Sequence, residues 1–330
     1  MSQSATDPIV DQDVIVDVAG GVGRIVLNRP KAINALTVDM LTTIHRTLEA
    51  WRDDREVRSV EFSGAGERGF CSGADVRALR SVLLDEGLNA ARHFFDVEYP
   101  CDALIATYPK PISSIMNGIT MGGGMGLTLH TPRRIGTPTT QLAMPEVTIG
   151  LFPDVGATFE LSRMPLETGT WMAMTGAPVD AASALWAGLL DDARDLEDTP
   201  EGSWLATASS WIAECFTGDD PSAILQRLEN HENEDARACA ELVRTKCPLS
   251  VAVALELVRR AALLPDVPAV LEVDRVLAEN FMRDSDFAEG VRAQLVDKDR
   301  QPRWRHQSVE EVTRDEVLAA FEPAGPSAGR

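Results

Sequence analysis

Residues 110–156 read KPISSIMNGITMGGGMGLTLHTPRRIGTPTTQLAMPEVTIGLFPDVG. Ile112–Met116 is short and apolar and predicts a strand. Gly122, Gly123 and Gly124 follow it and open a helix, and a second strand ends at Met144. A polar loop with two carboxylates, Glu146 and Asp154, comes next. Glycine permits backbone angles that other residues resist, and it lets another group approach the chain closely. The first amides of a helix lack intrahelical partners and carry partial positive charge, so they suit an oxygen that becomes negative during a reaction. A tight strand-to-helix turn with no ligand is the competing reading of the glycines alone.

Upstream, residues 13–18 alternate and are β-branched, and Gly20, Gly21 and Gly23 separate them from residues 24–27, which predicts an antiparallel hairpin. Val38, Leu41, Ile44 and Leu48 fall at helical spacing over 37–51, with Thr37 as N-cap and His45 as a surface or packing histidine. Residues 57–62 predict another strand. The glycine-rich segment SGAGERGFCSGAD (63–75) leads to a helix that Asp75 can cap. Residues 89–107 carry Phe94, Phe95, Val97, Tyr99, Leu104 and Ile105 and are apolar enough to cover a site from above; the Phe pair alone reads as core. Beyond Gly156 the chain predicts helices at 166–175, 181–187, 203–216, 221–231, 235–246, 250–263, 269–283 and 286–295. The expected organisation is an α/β core over residues 1–200 and a helical region over 201–330.

Composition narrows the function. Thirty-one basic residues face 51 acidic ones, a net charge of −20. That argues against nucleic acid or an anionic membrane surface as partner. The five cysteines form no CxxC and no ligand-like spacing with histidine, as expected of free thiols in a reducing cytoplasm. No metal site is expected: the acidic clusters at 191–198 and 229–235 read as solvated faces and linkers. The opening MSQSATDPIVDQD is polar and acidic, unlike a signal or transit peptide, and the closing EPAGPSAGR reads as frayed.

Five segments, LNRPKAINALT (27–37), GFCSGADVRAL (69–79), NGITMGGGMGL (117–127), AMPEVTIGLFPDVG (143–156) and FAEGVRAQLVDKDRQPRW (287–304), together resemble the crotonase (enoyl-CoA hydratase/isomerase) superfamily. Within it the chain most resembles the 3-hydroxyisobutyryl-CoA hydrolase branch. The resemblance implies a fold of repeated β-β-α units and a CoA thioester as substrate, with no further cofactor. It implies a homo-oligomer, a trimer or a hexamer. By the same resemblance the backbone amides of Ala74 and Gly123 hold the thioester oxygen, with Gly73, Gly122 and Asp75 beside the substrate and Lys31 and Ala32 along the CoA nucleotide.

Hydratases of the family use two glutamates, one in a GGGxE pattern and one in a PE dipeptide. Here the first position is Gly126, the second is Glu146, and Asp154 stands where hydratases commonly have glycine. The triple Gly126, Glu146 and Asp154 resembles the hydrolase branch and its place in valine degradation. Thioester cleavage needs a nucleophile, an oxyanion site and a proton for the leaving thiolate. Glu146 suits attack on the carbonyl or activation of water. Asp154 suits activating water, orienting a 3-hydroxyl group or raising the pKa of Glu146. Taken alone, Glu146 also reads as a loop charge and Asp154 as a turn aspartate. The competing functions are an enoyl-CoA hydratase or isomerase and a non-catalytic acyl-CoA-binding protein. Lys298, Arg300, Arg303 and Arg305 form a local basic stretch, read either as salt-bridged surface or as a contact for CoA phosphates.

Overall fold

A computed structural model describes residues 13–323. The sequence readings of the first twelve residues and of all but the first two of EPAGPSAGR lie outside the described residues.

The chain opens with β1 (Val14–Ala19), β2 (Val22–Leu27), α1 (Val38–Arg52) and β3 (Ser59–Gly64), then α2 (Val76–Asp85) and α3 (Leu88–Ala106). It continues through β4 (Ile112–Met116), β5 (Ile119–Met121), α4 (Gly123–Leu129), β6 (Arg133–Gly136), β7 (Gln141–Ala143), α5 (Ala157–Leu161), α6 (Thr168–Thr175), β8 (Val179–Asp180), α7 (Ala181–Trp186) and β9 (Asp192–Ala193). Helices follow: α8 (Trp204–Cys215), α9 (Pro221–Glu229), α10 (Glu234–Arg244), α11 (Pro248–Ala261), α12 (Val267–Arg283), α13 (Ser285–Val291) and α14 (Arg314–Ala320).

One sheet has the order β1-β2-β3-β4-β6-β9, parallel except for the β1–β2 hairpin. The buried positions of β2 and β4 alternate, which seats one face of each strand on the core. A smaller sheet has the order β5-β7-β8. Cys71 extends it by a parallel bridge to Thr120, so the segments at 71, 120 and 142 run side by side. The pairs β4–β5 and β6–β7 therefore each send their first strand into the large sheet and their second into the small one.

This corrects two expectations. The glycine run does not follow β4 directly, because Ile119–Met121 forms β5 first. The single strand expected to end at Met144 is two strands, β6 and β7, the second ending at Ala143. Apolar content places a strand but does not say which sheet receives it.

Thr37 accepts from the Met40 amide and caps α1, whose Met40, Leu41, Ile44, Leu48 and Trp51 are buried. Asp191 and Asp192 are exposed, as expected of a solvated face, but they do not belong to a linker. Asp191 accepts from the backbone and guanidinium of Arg134, and Asp192 lies in edge strand β9. Helix α14 begins in a Thr313–Glu316 capping box. The later helices share one hydrophobic cluster with the sheets, and α12 packs on α3.

Candidate active site

Three neighbouring segments of the small sheet deliver the site. Past Cys71 the chain reaches Ala74, past β5 it reaches Gly123, and past β7 it reaches Glu146. Parallel pairing puts these three ends on the same side. Leu36 donates to the Gly73 carbonyl at 2.9 Å and accepts from the Asp75 amide at 2.9 Å, so the Ala74 amide faces away from that pairing. Gly123 is the first residue of α4, where an amide has no intrahelical acceptor. A carbon added at Gly123 would stand 3.5 Å from the Ala74 nitrogen. The two amides thus lie close together, at the positions that the resemblance assigns to an oxyanion hole.

A cavity of about 260 Å³ opens there. Its wall includes Gly73, Ala74, Gly122, Gly123, Glu146 and Asp154. Leu79, Phe95, Ile149, Leu151 and Leu295 make most of that wall apolar, as an acyl pocket requires. Phe95 is buried as expected of core and also faces the cavity.

The remaining sequence-derived positions fall outside this wall. Asp75 caps α2 through the Ala78 amide and pairs with Arg29 at 3.3 Å. Lys31 and Ala32 are exposed in the turn Pro30–Ala32, and the Ala32 carbonyl accepts from Ser72, a cavity residue. They stand at the rim. Of the basic stretch, Arg305 pairs with Asp284 and Glu316, while Lys298 and Arg300 are exposed just past Gln294 and Leu295 of the cavity wall.

Glu146 and Asp154 are only 6% and 5% exposed. Glu146 Oε2 has no partner, and its other oxygen lies beside Gly122. Asp154 Oδ2 accepts from the Tyr99 hydroxyl at 2.9 Å. Burial pushes the Asp154 carboxyl up to about 7, against the lowering by the Tyr99 bond and a backbone amide. Glu146 is raised well above the carboxylate range by burial and then by the charge of Asp154.

Three more acids surround the pair, none of them singled out in the sequence. Glu98 and Asp102 project from α3, four residues apart on its buried face. Asp274 comes from α12 and is fully buried. Burial first, and neighbouring carboxylates second, push all three well up. None of the five joins an ion pair among the described residues, so no basic side chain offsets their burial. The signal was present: in FFDVEYPCDALI, Glu98 and Asp102 share the helical face of Phe94, Phe95 and Tyr99. Asp274 likewise shares the helical face of Val270, Leu271, Leu277 and Ala278, but nothing local ties α12 to the glycine run. Among the described residues no group of three or more His, Cys, Asp or Glu has the arrangement to hold a metal. All five cysteines are buried and unpaired, and burial pushes the Cys71 thiol up to about 12, which excludes it as a nucleophile at neutral pH.

Gly126 is packed tight. A carbon added there would lie 2.7 Å from Val155 Cβ and 2.9 Å from Asp102 Oδ1. The second hydratase glutamate has no room at this position.

The family model described as enoyl-CoA hydratase/isomerase matches residues 22–201 and 192–321. A Gallus gallus protein named "3-hydroxyisobutyryl-CoA hydrolase, mitochondrial" is 33% identical, with 95% of this chain and 89% of that protein covered. The Homo sapiens protein of the same name is 30% identical over 96% and 90%. Among solved structures, a carnitinyl-CoA dehydratase from Mycobacterium thermoresistibile superposes with a TM-score of 0.90 at 42% identity, covering 96% of this chain and 98% of that one. An enoyl-CoA hydratase from Rhodobacter sphaeroides gives 0.89 at 36% identity, with 94% and 97% covered. Matched by that family model over most of its length and by relatives and solved structures over nearly all of it, the chain belongs to the enoyl-CoA hydratase/isomerase (crotonase) family.

Proposed function

We propose that the protein hydrolyses a short branched 3-hydroxyacyl-CoA thioester, 3-hydroxyisobutyryl-CoA, to the free acid and CoA, in the valine degradation route. The observation that carries this is the filled space at Gly126 beside an intact Glu146–Asp154 pair. Hydration across a double bond lacks its second glutamate, whereas hydrolysis lacks nothing. The names of the curated relatives support the same reading.

The thioester carbonyl oxygen sits between the Ala74 and Gly123 amides, which stabilise the anion it becomes; one such donor is worth about 2.7–4 kcal/mol of the barrier. The ionised fraction of Glu146 adds to the carbonyl carbon or takes a proton from a water that does. The C–S bond breaks, and the thiolate leaves as CoA-SH with a proton from the carboxyl cluster. On the first route water then cleaves the acyl–Glu146 anhydride. Hydroxylamine trapping at Glu146 in a single turnover separates the two routes. Asp154, held by the Tyr99 hydroxyl, and Glu98 line the space for the 3-hydroxyl group, where only hydrogen-bonding groups avoid a desolvation cost.

The solved relatives named hydratase and dehydratase favour a second reading, water addition to an enoyl-CoA. One assay separates the readings: 3-hydroxyisobutyryl-CoA with thiol release followed, beside crotonyl-CoA with loss of enoyl absorbance. Thiol release from the first substrate alone is the expected result. Enoyl loss without thiol release overturns it, and binding without either reaction makes the protein a scaffold.

The same reading includes a trimer or hexamer, supported by Ile15 and Val18 exposed on edge strand β1 and by exposed Trp204. Light scattering tests it. Buried unpaired thiols suit a reducing, cytoplasmic setting, although the curated relatives carry "mitochondrial" in their names. No described helix is long and apolar enough to cross a membrane.

A further inference from the structure

The segment that follows Asp154 is held in an unfavourable backbone state. Val155 has φ of 53° and Gly156 φ of 71°. For a β-branched residue the left-handed region is costly, roughly 1–3 kcal/mol, and it persists only where the surroundings impose it. Two buried contacts impose it here. His130, at the C-terminal cap of α4, bonds the Val155 carbonyl through Nε2 at 2.9 Å. A carbonyl only accepts, so Nε2 carries the proton. Asp274 Oδ2 accepts from the Gly156 amide at 2.8 Å, while its Oδ1 has no partner. The contacts come from α4 and α12, and together they grip the carbonyl and the amide on either side of one peptide link.

We propose that Asp274 is a positioning residue for Asp154: with His130 it clamps the Val155–Gly156 turn and so aims the Asp154 carboxylate into the cavity. The helical region thereby supplies part of the active-site geometry. Asp154 has its remaining side-chain contact with Tyr99 on α3. The turn decides whether that carboxylate meets the hydroxyl and the substrate together. Packing of the buried Val155 side chain and the bond from the Ala157 amide to the Asp154 carbonyl at 3.0 Å add to the clamp, and Gly156 is crowded: a carbon there would meet Val267 Cγ1 at 2.7 Å and His130 Nε2 at 3.2 Å. The titratable groups that face Asp154 are Tyr99, Glu98 and Asp102 from α3, Glu146 from the loop after β7, and Asp274 from α12. Burial holds His130 down to about 4, so it stays neutral and keeps its Nε2 proton at working pH. The clamp therefore does not titrate through His130 in the range where the enzyme is assayed.

The kinetic part of the test rests on the hydrolase reading; the exchange part does not. Asp274→Asn keeps an oxygen for the Gly156 amide, and Asp274→Ala removes it. With full-length protein, Asp274→Ala should lower kcat roughly 10–100-fold and leave KM within about threefold, because a misplacement near 1 Å costs on that order. Asp274→Asn should stay within about threefold of wild type. Backbone amide exchange over residues 155–157 should rise in the alanine variant and not in the asparagine one. Wild-type kcat in Asp274→Ala overturns the proposal, and so does an asparagine variant that loses as much as alanine. Should Asp274→Ala not fold, His130→Ala against His130→Gln makes the same comparison from the other side of the turn. Should wild-type protein cleave no thioester, the hydrolase reading fails. Exchange over 155–157 then decides alone, and an unchanged rate in Asp274→Ala overturns the clamp.

Discussion

Glu146 and Asp154 differ in how their burial is offset. Asp154 has the Tyr99 hydroxyl and Glu146 Oε2 has nothing, so Asp154 releases its proton first as pH rises. Glu146→Gln should lower thioester hydrolysis about 10²-fold or more while CoA affinity and melting temperature hold, because a positioned acid/base or nucleophilic group contributes on that order. Retention of a tenth of the activity removes Glu146 from the chemistry. Asp154 titrates near pH 7, so activity should rise through an apparent pKa in that region. Tyr99→Phe deletes a bond that favours the ionised form. The Asp154 pKa then rises, and the acidic limb of the pH–rate profile should move to higher pH. A limb that stays in place, or moves to lower pH, counts against Asp154 as its source. Asp154→Asn should lose most hydrolysis and gain no hydratase activity, as measured with crotonyl-CoA.

At the scale of elements, the opposition of α3 and α4 shapes the pocket. Helix α4 is glycine-rich because α3 and the Asp154 loop lie against it. A carbon at Gly123 would collide with Glu98 Oε1 and stand 3.1 Å from Leu36 Cδ1. Gly123→Val should therefore weaken both binding and turnover, and normal kinetics in a folded variant would move the oxyanion site elsewhere. Gly126→Glu should not create a hydratase. It should destabilise the protein by about 1–3 kcal/mol, as overpacking does, since it meets Val155 and Asp102. Pairing it with Asp102→Ala should recover part of that loss, because the two sites share one space. Thermal melts of the two single variants and the double check this. Simple additivity would show that Asp102 is not the obstacle.

For the whole molecule, the buried acids give stability an unusual pH dependence. Carboxyls whose folded pKa lies above the unfolded value contribute stability that is full below the unfolded pKa, near 4, and lost as pH rises through the folded one. For Asp154 that window runs from about 4 to about 7. Glu98, Asp102, Glu146 and Asp274, pushed well up, extend the loss further. The net charge of −20 adds self-repulsion in the same direction. Glu310 and Glu316, held near 2 by Arg244 and by the Thr313 cap, act oppositely but only at much lower pH. Melting temperature should therefore fall from pH 5 to pH 8, and Asp102→Asn should flatten the slope. A Tm that climbs over this range contradicts raised pKa values in the acidic cluster.

What was legible in the sequence was what short-range chemistry dictates. Glycines 122–124 announced a turn, Thr37 and Asp75 announced caps, and the alternation of β1 and β2 announced a hairpin, since each depends on residues a few positions apart. Family resemblance carried Ala74, Gly123, Glu146 and Asp154, and the fold brings those four to one cavity wall. Tertiary structure alone decided that Met121 and Ala143 end neighbouring strands of a second sheet, because hydrogen-bond partners across a sheet leave no trace in local composition. It also decided the surroundings of the carboxylate pair. Asp274 lies 118 residues from the amide it holds, and its place on the apolar face of α12 does not say which segment that face will cover.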